Sequence, residues 1–167
     1  MNMPIPTVQD IMVREVVSVR PDMPVIEAHE VISRGNFDGV PVVDEENRLV
    51  GILTEYDLIV KGSSLHLPTF QKILSELPVY RKNQGEFQKE IEELQSLRVR
   101  DVMNSDPLTL PDDAPFDAVI AAFREHHRVN PIPVVDKNNI VVGVVSRYDI
   151  VKLFGLVGHQ PDAREKP

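Results

Sequence analysis

The sequence predicts an α/β (α+β) chain built from two copies of one unit. Each unit is read as about three strands and two main helices, with a helical insertion between the copies. Three observations predict this. First, motifs return in order: VQDIM (Val8 to Met12) as VRDVM (Val99 to Met103), and PVVD at Pro41–Asp44 as the same four residues at Pro133–Asp136. Gly51 returns as Gly143 and Asp57 as Asp149. Second, apolar residues alternate at a strand's spacing and then at a helix's spacing, in the same succession both times. Third, 167 residues with 42% hydrophobic and 26% charged content are ordinary for a globular chain, enough for one domain or a tight pair of small ones.

Each unit opens on a short helical turn that ends at Met12 or Met103. The alternations Val17-Ser18-Val19 and Leu108-Thr109-Leu110 suit a short strand. Pro21-Asp22 and Pro111-Asp112 then mark a turn and a helix start. Val25, Ala28, Val31 and Ile32 line one helical face in the first copy; Phe116, Val119, Ile120 and Phe123 line it in the second. Val40–Val43 and Ile132–Val135 read as strands, followed by polar turns at 44–48 and 136–139. Leu49–Leu53 and Ile140–Val145 read as the next strands. Helices over 55–60 and 147–154 close the units. Neither unit buries its sheet alone, so the two are expected to pack together.

The boundaries expected are 1–60 for the first unit, 61–97 for the insertion, 98–155 for the second unit and 156–167 for a flexible tail, frayed after Gly158. In the insertion, Leu67, Phe70, Ile73, Leu74 and Leu77 have helical spacing, as do Phe87, Ile91 and Leu94. Two amphipathic helices are expected there, separated by a turn at 82–85.

Composition excludes several functions. Lys and Arg number 18 against 26 Asp and Glu, for a formal net charge of −8, which opposes DNA or an anionic membrane as partner. With no cysteine there are no disulfides, thiolate metal sites or cysteine nucleophiles. The start of the chain lacks the basic and apolar regions of a secretory signal, and no apolar run reaches the roughly 20 residues of a membrane span. A cytoplasmic protein without membrane insertion is expected. No phosphate-cradling glycine loop, nucleophile elbow or HExxH motif is present, so an enzyme is not expected. Adjacent His126 and His127 point about 100° apart on a helix, and no further ligand has metal spacing, so no metal is required.

The duplicated motifs resemble a tandem pair of CBS domains (cystathionine β-synthase domains), a Bateman module. The resemblance rests on the openers ending at Met12 and Met103, on Val40-Pro41-Val42-Val43-Asp44 with Ile132-Pro133-Val134-Val135-Asp136, and on Gly51 to Asp57 with Gly143 to Asp149. It implies two units related by a pseudo-twofold axis and two pseudo-equivalent clefts for adenosine nucleotides. Asp57 and Asp149 would take ribose hydroxyls, with Thr54 and Ser146 at a phosphate. The backbone of Gly39, Val40 and Ile132 would line the adenine pockets, and Val17 and Leu108 would add apolar walls. His127 and Arg128 match the family's phosphate-binding His-Arg pair, displaced by a two-residue insertion. The segment 61–97 is longer than the family's usual linker.

The residues also allow plainer roles. Thr54-x-x-Asp57 and Ser146-x-x-Asp149 fit capping boxes, in which the same atoms satisfy helix-terminal N–H groups. His127 and Arg128 fit a solvated helix end. Lys61, Arg98, Arg100, Arg147 and Lys152 fit surface charge as well as a cleft rim. Tyr56 and Tyr148 fit a base-stacking role or packing of their helices. The expected function is a regulatory sensor of AMP, ADP or ATP that acts on a partner protein, with a homodimer expected. The alternatives are a dimerisation or protein-interaction module without ligand, or a binder of S-adenosylmethionine.

Overall fold

The computed structural model describes residues 6–58 and 96–158, with the backbone alone for 154–158. The 61–97 helices read from the sequence lie outside the described residues, save for 96 and 97. In the first copy, helix α1 (Val25–Gly35) precedes strands β1 (Gly39–Val43) and β2 (Leu49–Thr54), and helical residues 55–58 follow. The second copy comprises α2 (Val99–Val102), β3 (Leu110–Pro111), α3 (Phe116–Glu125), β4 (Ile132–Val135), β5 (Val141–Val145) and α4 (Arg147–Gly158). Helix α4 extends into the segment expected as tail from 156.

β1 and β2 pair antiparallel, with Gly39 opposite Thr54, and β4 and β5 do the same, with Ile132 opposite Val145. β3 joins β4 in parallel. Its counterpart in the first copy is shorter than the alternation suggested: Val19 alone bridges Val42 in parallel, while Val17 is 43% exposed. The apolar faces of α1 and α3 cover the sheets as their spacing requires. Val25, Ala28 and Ile32 are buried on one, Val119 and Phe123 on the other.

The openers cross over. Val8 and Met12 lie in the second copy's core, with Leu110, Ala114, Phe123, Ile132 and Val145. Val99 and Val102 lie in the first copy's core, with Val19, Ile32, Val40 and Leu53. Backbone bonds fix both exchanges. Val8 N–H donates to the Ala114 carbonyl at 2.8 Å, and Val99 N–H to that of Met23 at 2.9 Å. Val13 and Val144 exchange N–H···O bonds of 2.8 and 3.0 Å, and Ile52 and Asn104 exchange two of 2.9 Å. Each opener thus adds an edge to the other copy's sheet, which the motif repeat alone does not specify.

Glycine permits this crossing. A Cβ on Gly51 would sit 2.7 Å from Met103 Sδ and 2.8 Å from the Asn104 carbonyl. On Gly143 it would sit 2.5 Å from Met12 Sδ. A repeated glycine in mid-strand marks close backbone approach.

The two polar turns meet across the pseudo-twofold. Leu49 N–H donates to the Asn139 carbonyl at 2.9 Å, and Val141 N–H to the Asn47 carbonyl at 3.2 Å. The Asn139 amide donates to the Leu49 carbonyl at 2.9 Å, and the Asn47 amide to that of Val141 at 3.4 Å. Both asparagines hold left-handed backbones, φ 64° and 63°, which this residue type tolerates. Beneath them Val43, Leu49 and Val141 form a small core of their own. The Asp ending each PVVD run shapes its turn. Asp44 Oδ1 accepts from the N–H groups of Glu46 and Arg48, and Asp136 Oδ1 from those of Asn138 and Ile140. These bonds, that of Ile140 foremost, hold the Asp136 carboxyl below its ordinary pKa.

Candidate functional site

β2 and β5 each end where a helix begins, and there stand the Thr54/Asp57 and Ser146/Asp149 pairs. The two arrangements repeat almost atom for atom. The Thr54 hydroxyl donates to Asp57 Oδ2 at 2.6 Å, the Thr54 N–H donates to the same oxygen at 3.0 Å, and the Asp57 N–H donates back to Thr54 Oγ1 at 3.3 Å. The Ser146 hydroxyl and N–H donate to Asp149 Oδ2 at 2.6 and 2.9 Å, and the Asp149 N–H donates back to Ser146 Oγ at 3.3 Å. The capping geometry is therefore present. Asp57 and Asp149 are the buried charged residues of the described chain, at 9% and 7% exposure.

The openers help to decide what this burial means. Asp10 and Asp101 accept the N–H groups of Thr7 and Arg98, three residues earlier, in the same manner. Those two carboxylates are exposed. A cap therefore does not require a buried carboxylate. Asp57 and Asp149 lie beside the strand starts at Gly39 and Ile132, where the sheet edge and helix terminus meet. Acceptor capacity held in such a place suits a polyhydroxyl ligand, and the first-turn N–H groups suit an anion.

The remaining candidates divide. Val40 and Ile132 are fully buried and point their side chains into the two cores, so only their backbone can face a ligand. Gly39 is buried at the strand start, opposite Thr54. Leu108 packs half-buried against the second core, while Val17 is exposed. His127 and Arg128 lie in the turn after α3 and are both exposed. Arg128 reaches the first copy's site: its Nη1 is 3.5 Å from the Tyr56 hydroxyl, and its guanidinium carbon 6.0 Å from the ring centroid. His127 has no such partner among the described residues. Tyr56 and Tyr148 are 50% and 66% exposed.

The rim cations differ in what they do. The Arg147 guanidinium donates to the carbonyls of Phe123 and His126 and lies 5.1 Å from the Phe123 ring centroid, which ties α4 to α3. Lys152 donates to Asp149 Oδ1 at 3.2 Å. Asp38 and Asn130 were not singled out by motif. They occupy equivalent places before the two strands, and they meet across the pseudo-twofold, the Asn130 amide donating to Asp38 Oδ2 at 2.6 Å. The Asn130 amide oxygen accepts the Arg147 N–H at 3.0 Å. Their matched position two residues before the Pro41 and Pro133 neighbours Val40 and Ile132 was the available signal. Among the described residues no cluster of His, Asp and Glu could hold a metal ion, and no helix is long and apolar enough to cross a membrane.

The family model for the CBS domain matches residues 8–63 and 99–155. Among curated proteins, the chain is 28% identical over 93% of its length to L-aspartate semialdehyde sulfurtransferase of Methanocaldococcus jannaschii, covering 24% of that protein. It is 31% identical over 81% of its length to inosine-5'-monophosphate dehydrogenase of Aquifex aeolicus, covering 22% of it. The chain thus spans about a quarter of the first curated relatives it matches. Among solved structures, the CBS domain pair of protein MJ0100, in complex with 5'-methylthioadenosine and S-adenosyl-L-methionine, superposes with a TM-score of 0.64 at 25% identity, over 92% of this chain and 99% of that one. CBSX2 of Arabidopsis thaliana superposes with a TM-score of 0.65 at 26% identity, over 90% and 95% of the two chains.

Proposed function

This chain belongs to the CBS domain family, as a tandem pair, and on that premise we propose that it is a regulatory module binding an adenosine-containing ligand beside Asp57 and Asp149. The carrying observation is the hydroxyl–carboxylate pair, duplicated with matching 2.6 Å bonds, whose carboxylates are buried where the comparable caps at Asp10 and Asp101 are exposed. The ligands bound by the MJ0100 pair, both adenosine derivatives, support this class.

In this reading the lone pairs that Asp57 does not spend on Thr54 accept the 2' and 3' hydroxyls of a ribose. The Thr54 hydroxyl and the N–H groups of helical residues 55–58 face a phosphate, and Arg128 adds charge from the opposite copy. The backbone at Gly39 and Val40 faces the adenine edge, with Val17 as an exposed apolar wall. The second cleft presents the corresponding groups, Ser146, Asp149, Ile132 and Leu108. An adenosine nucleotide, AMP, ADP or ATP, is the ligand proposed first, and S-adenosylmethionine is its alternative. A ligand that touches both copies shifts their angle only by its differential affinity for the two states. That shift is what a partner protein would read. A homodimer is proposed as well, on the exposed Tyr148 and Val151 of α4.

Isothermal titration of the chain with AMP, ADP, ATP and S-adenosylmethionine tests this. A micromolar dissociation constant, about −8 kcal/mol, is expected for at least one of them. No heat and no thermal shift with any of the four overturns the reading.

A further inference from the structure

The two clefts are not equal in this chain, and the inequality follows from which cation covers which tyrosine. Tyr56 and Tyr148 are equivalent residues, each one place before the Asp of its cleft. The cation over Tyr56 comes from the opposite copy, as Arg128. Among the described residues nothing donates to Asp57 Oδ1. The cation over Tyr148 comes from its own helix: Lys152 Nζ stands 4.6 Å from the ring centroid and 3.2 Å from Asp149 Oδ1. Asp149 therefore has both oxygens engaged, Oδ2 by Ser146 and Oδ1 by an ammonium. The residue corresponding to Lys152 in the first copy is Val60, which has no charge to donate. Counted back from the equivalent Val40 and Ile132, the residue corresponding to Arg128 is Asn36.

We propose that Lys152 closes the second cleft against ribose, so that the chain binds one phosphate-bearing adenosine ligand, at Asp57, with Arg128 as its phosphate cation. This rests on the functional reading above and adds to it which cleft works and why. A ribose hydroxyl is a neutral donor. At Asp149 Oδ1 it has to compete with a charge-assisted bond, which is roughly twice as strong as its own. The displaced ammonium also leaves the Tyr148 face, losing a cation–π contact. At Asp57 no such bond among the described residues has to break, and the guanidinium already stands across the cleft.

The test is titration of the full chain with AMP and with adenosine, for the wild type and five variants. The wild type is expected to bind one AMP per chain, and Asp57→Asn to lose at least tenfold in affinity. Lys152→Val, copying Val60, is expected to open the second cleft and raise the stoichiometry to two. Lys152→Gln provides the same loss of charge should the valine disturb the helix, with folding checked by circular dichroism. Arg128→Asn, copying Asn36, is expected to weaken AMP at least tenfold while leaving adenosine within a factor of about two. Two equal sites in the wild type, a single site lost on Asp149→Asn rather than Asp57→Asn, or an unchanged stoichiometry in both Lys152 variants each overturn the proposal and leave the functional reading intact. Absence of binding in the wild type and all variants overturns both.

Discussion

At Asp57 one carboxylate forms a cap and, in the proposed reading, takes a ribose. Its Oδ2 terminates a strand and starts a helix by taking the Thr54 N–H and hydroxyl. Its other oxygen is what a ribose would use. Asp57→Ala removes both at once, so binding loss after that change is ambiguous. Asp57→Asn is the better probe: the amide oxygen still accepts from Thr54, and the cap loss stays within about 1 kcal/mol. The expected outcome is a small fall in Tm together with a loss of ligand affinity of tenfold or more. Asp136 carries a different prediction. Its folded pKa is lowered by the Ile140 and Asn138 N–H groups. Its contribution is therefore complete above the unfolded value, near 4, and is lost as pH falls through the lowered folded value. Asp136→Asn should flatten the acid limb of a Tm-against-pH curve below about pH 4, while leaving the curve above pH 6 parallel to the wild type.

At the scale of elements, the crossing openers depend on the absence of a side chain at Gly51 and Gly143. The two positions look alike in the sequence but meet different obstacles. At Gly51 the Asn104 backbone carbonyl would lie 2.8 Å from a new Cβ, and backbone does not yield. At Gly143 the nearest atoms are Sδ and Cγ of Met12, the flexible end of a side chain, with the Val13 carbonyl at 3.2 Å. Overpacking costs typically 1–3 kcal/mol. Gly51→Ala is expected at about 3 kcal/mol and Gly143→Ala at about 1 kcal/mol, read by chemical denaturation. Equal costs would mean that both openers shift freely. The turns are a second joint between the copies. Asn47 and Asn139 each combine a left-handed backbone with an amide that reaches the other turn. Each joins local turn geometry to long-range assembly, so changes there act on both copies together.

For the whole molecule, exchange of the openers makes the copies interdependent. Val8 is fully buried in the second copy's core and Val99 in the first copy's. Val8→Ala is expected to cost about 2 kcal/mol, and its effect should fall on the second copy although the residue precedes the first. Hydrogen exchange would check this. Faster exchange at Phe123, Ile132 and Val145, with Val40 and Leu53 unchanged, is the expected pattern. The reverse pattern would return the opener to its own repeat.

The linear chain settled a good deal. The repeat, the strand–turn–strand pairs, the buried faces of α1 and α3 and the paired Thr54/Asp57 and Ser146/Asp149 motifs are all local patterns. Side-chain period and i, i+3 spacing are properties of neighbouring residues, so they can be read without a fold. Tertiary structure decided what distance along the chain conceals. Two openers of nearly the same sequence fit two cores of nearly the same shape, and nothing local says which docks where. Asp38 meets Asn130 and Arg48 bridges Ile140 because a pseudo-twofold axis brings equivalent positions together, and Arg128 reaches Tyr56 across the same axis. The difference between the clefts belongs to both levels: Lys152 and Val60 are plain in the sequence, but only the fold turns that lysine onto Asp149.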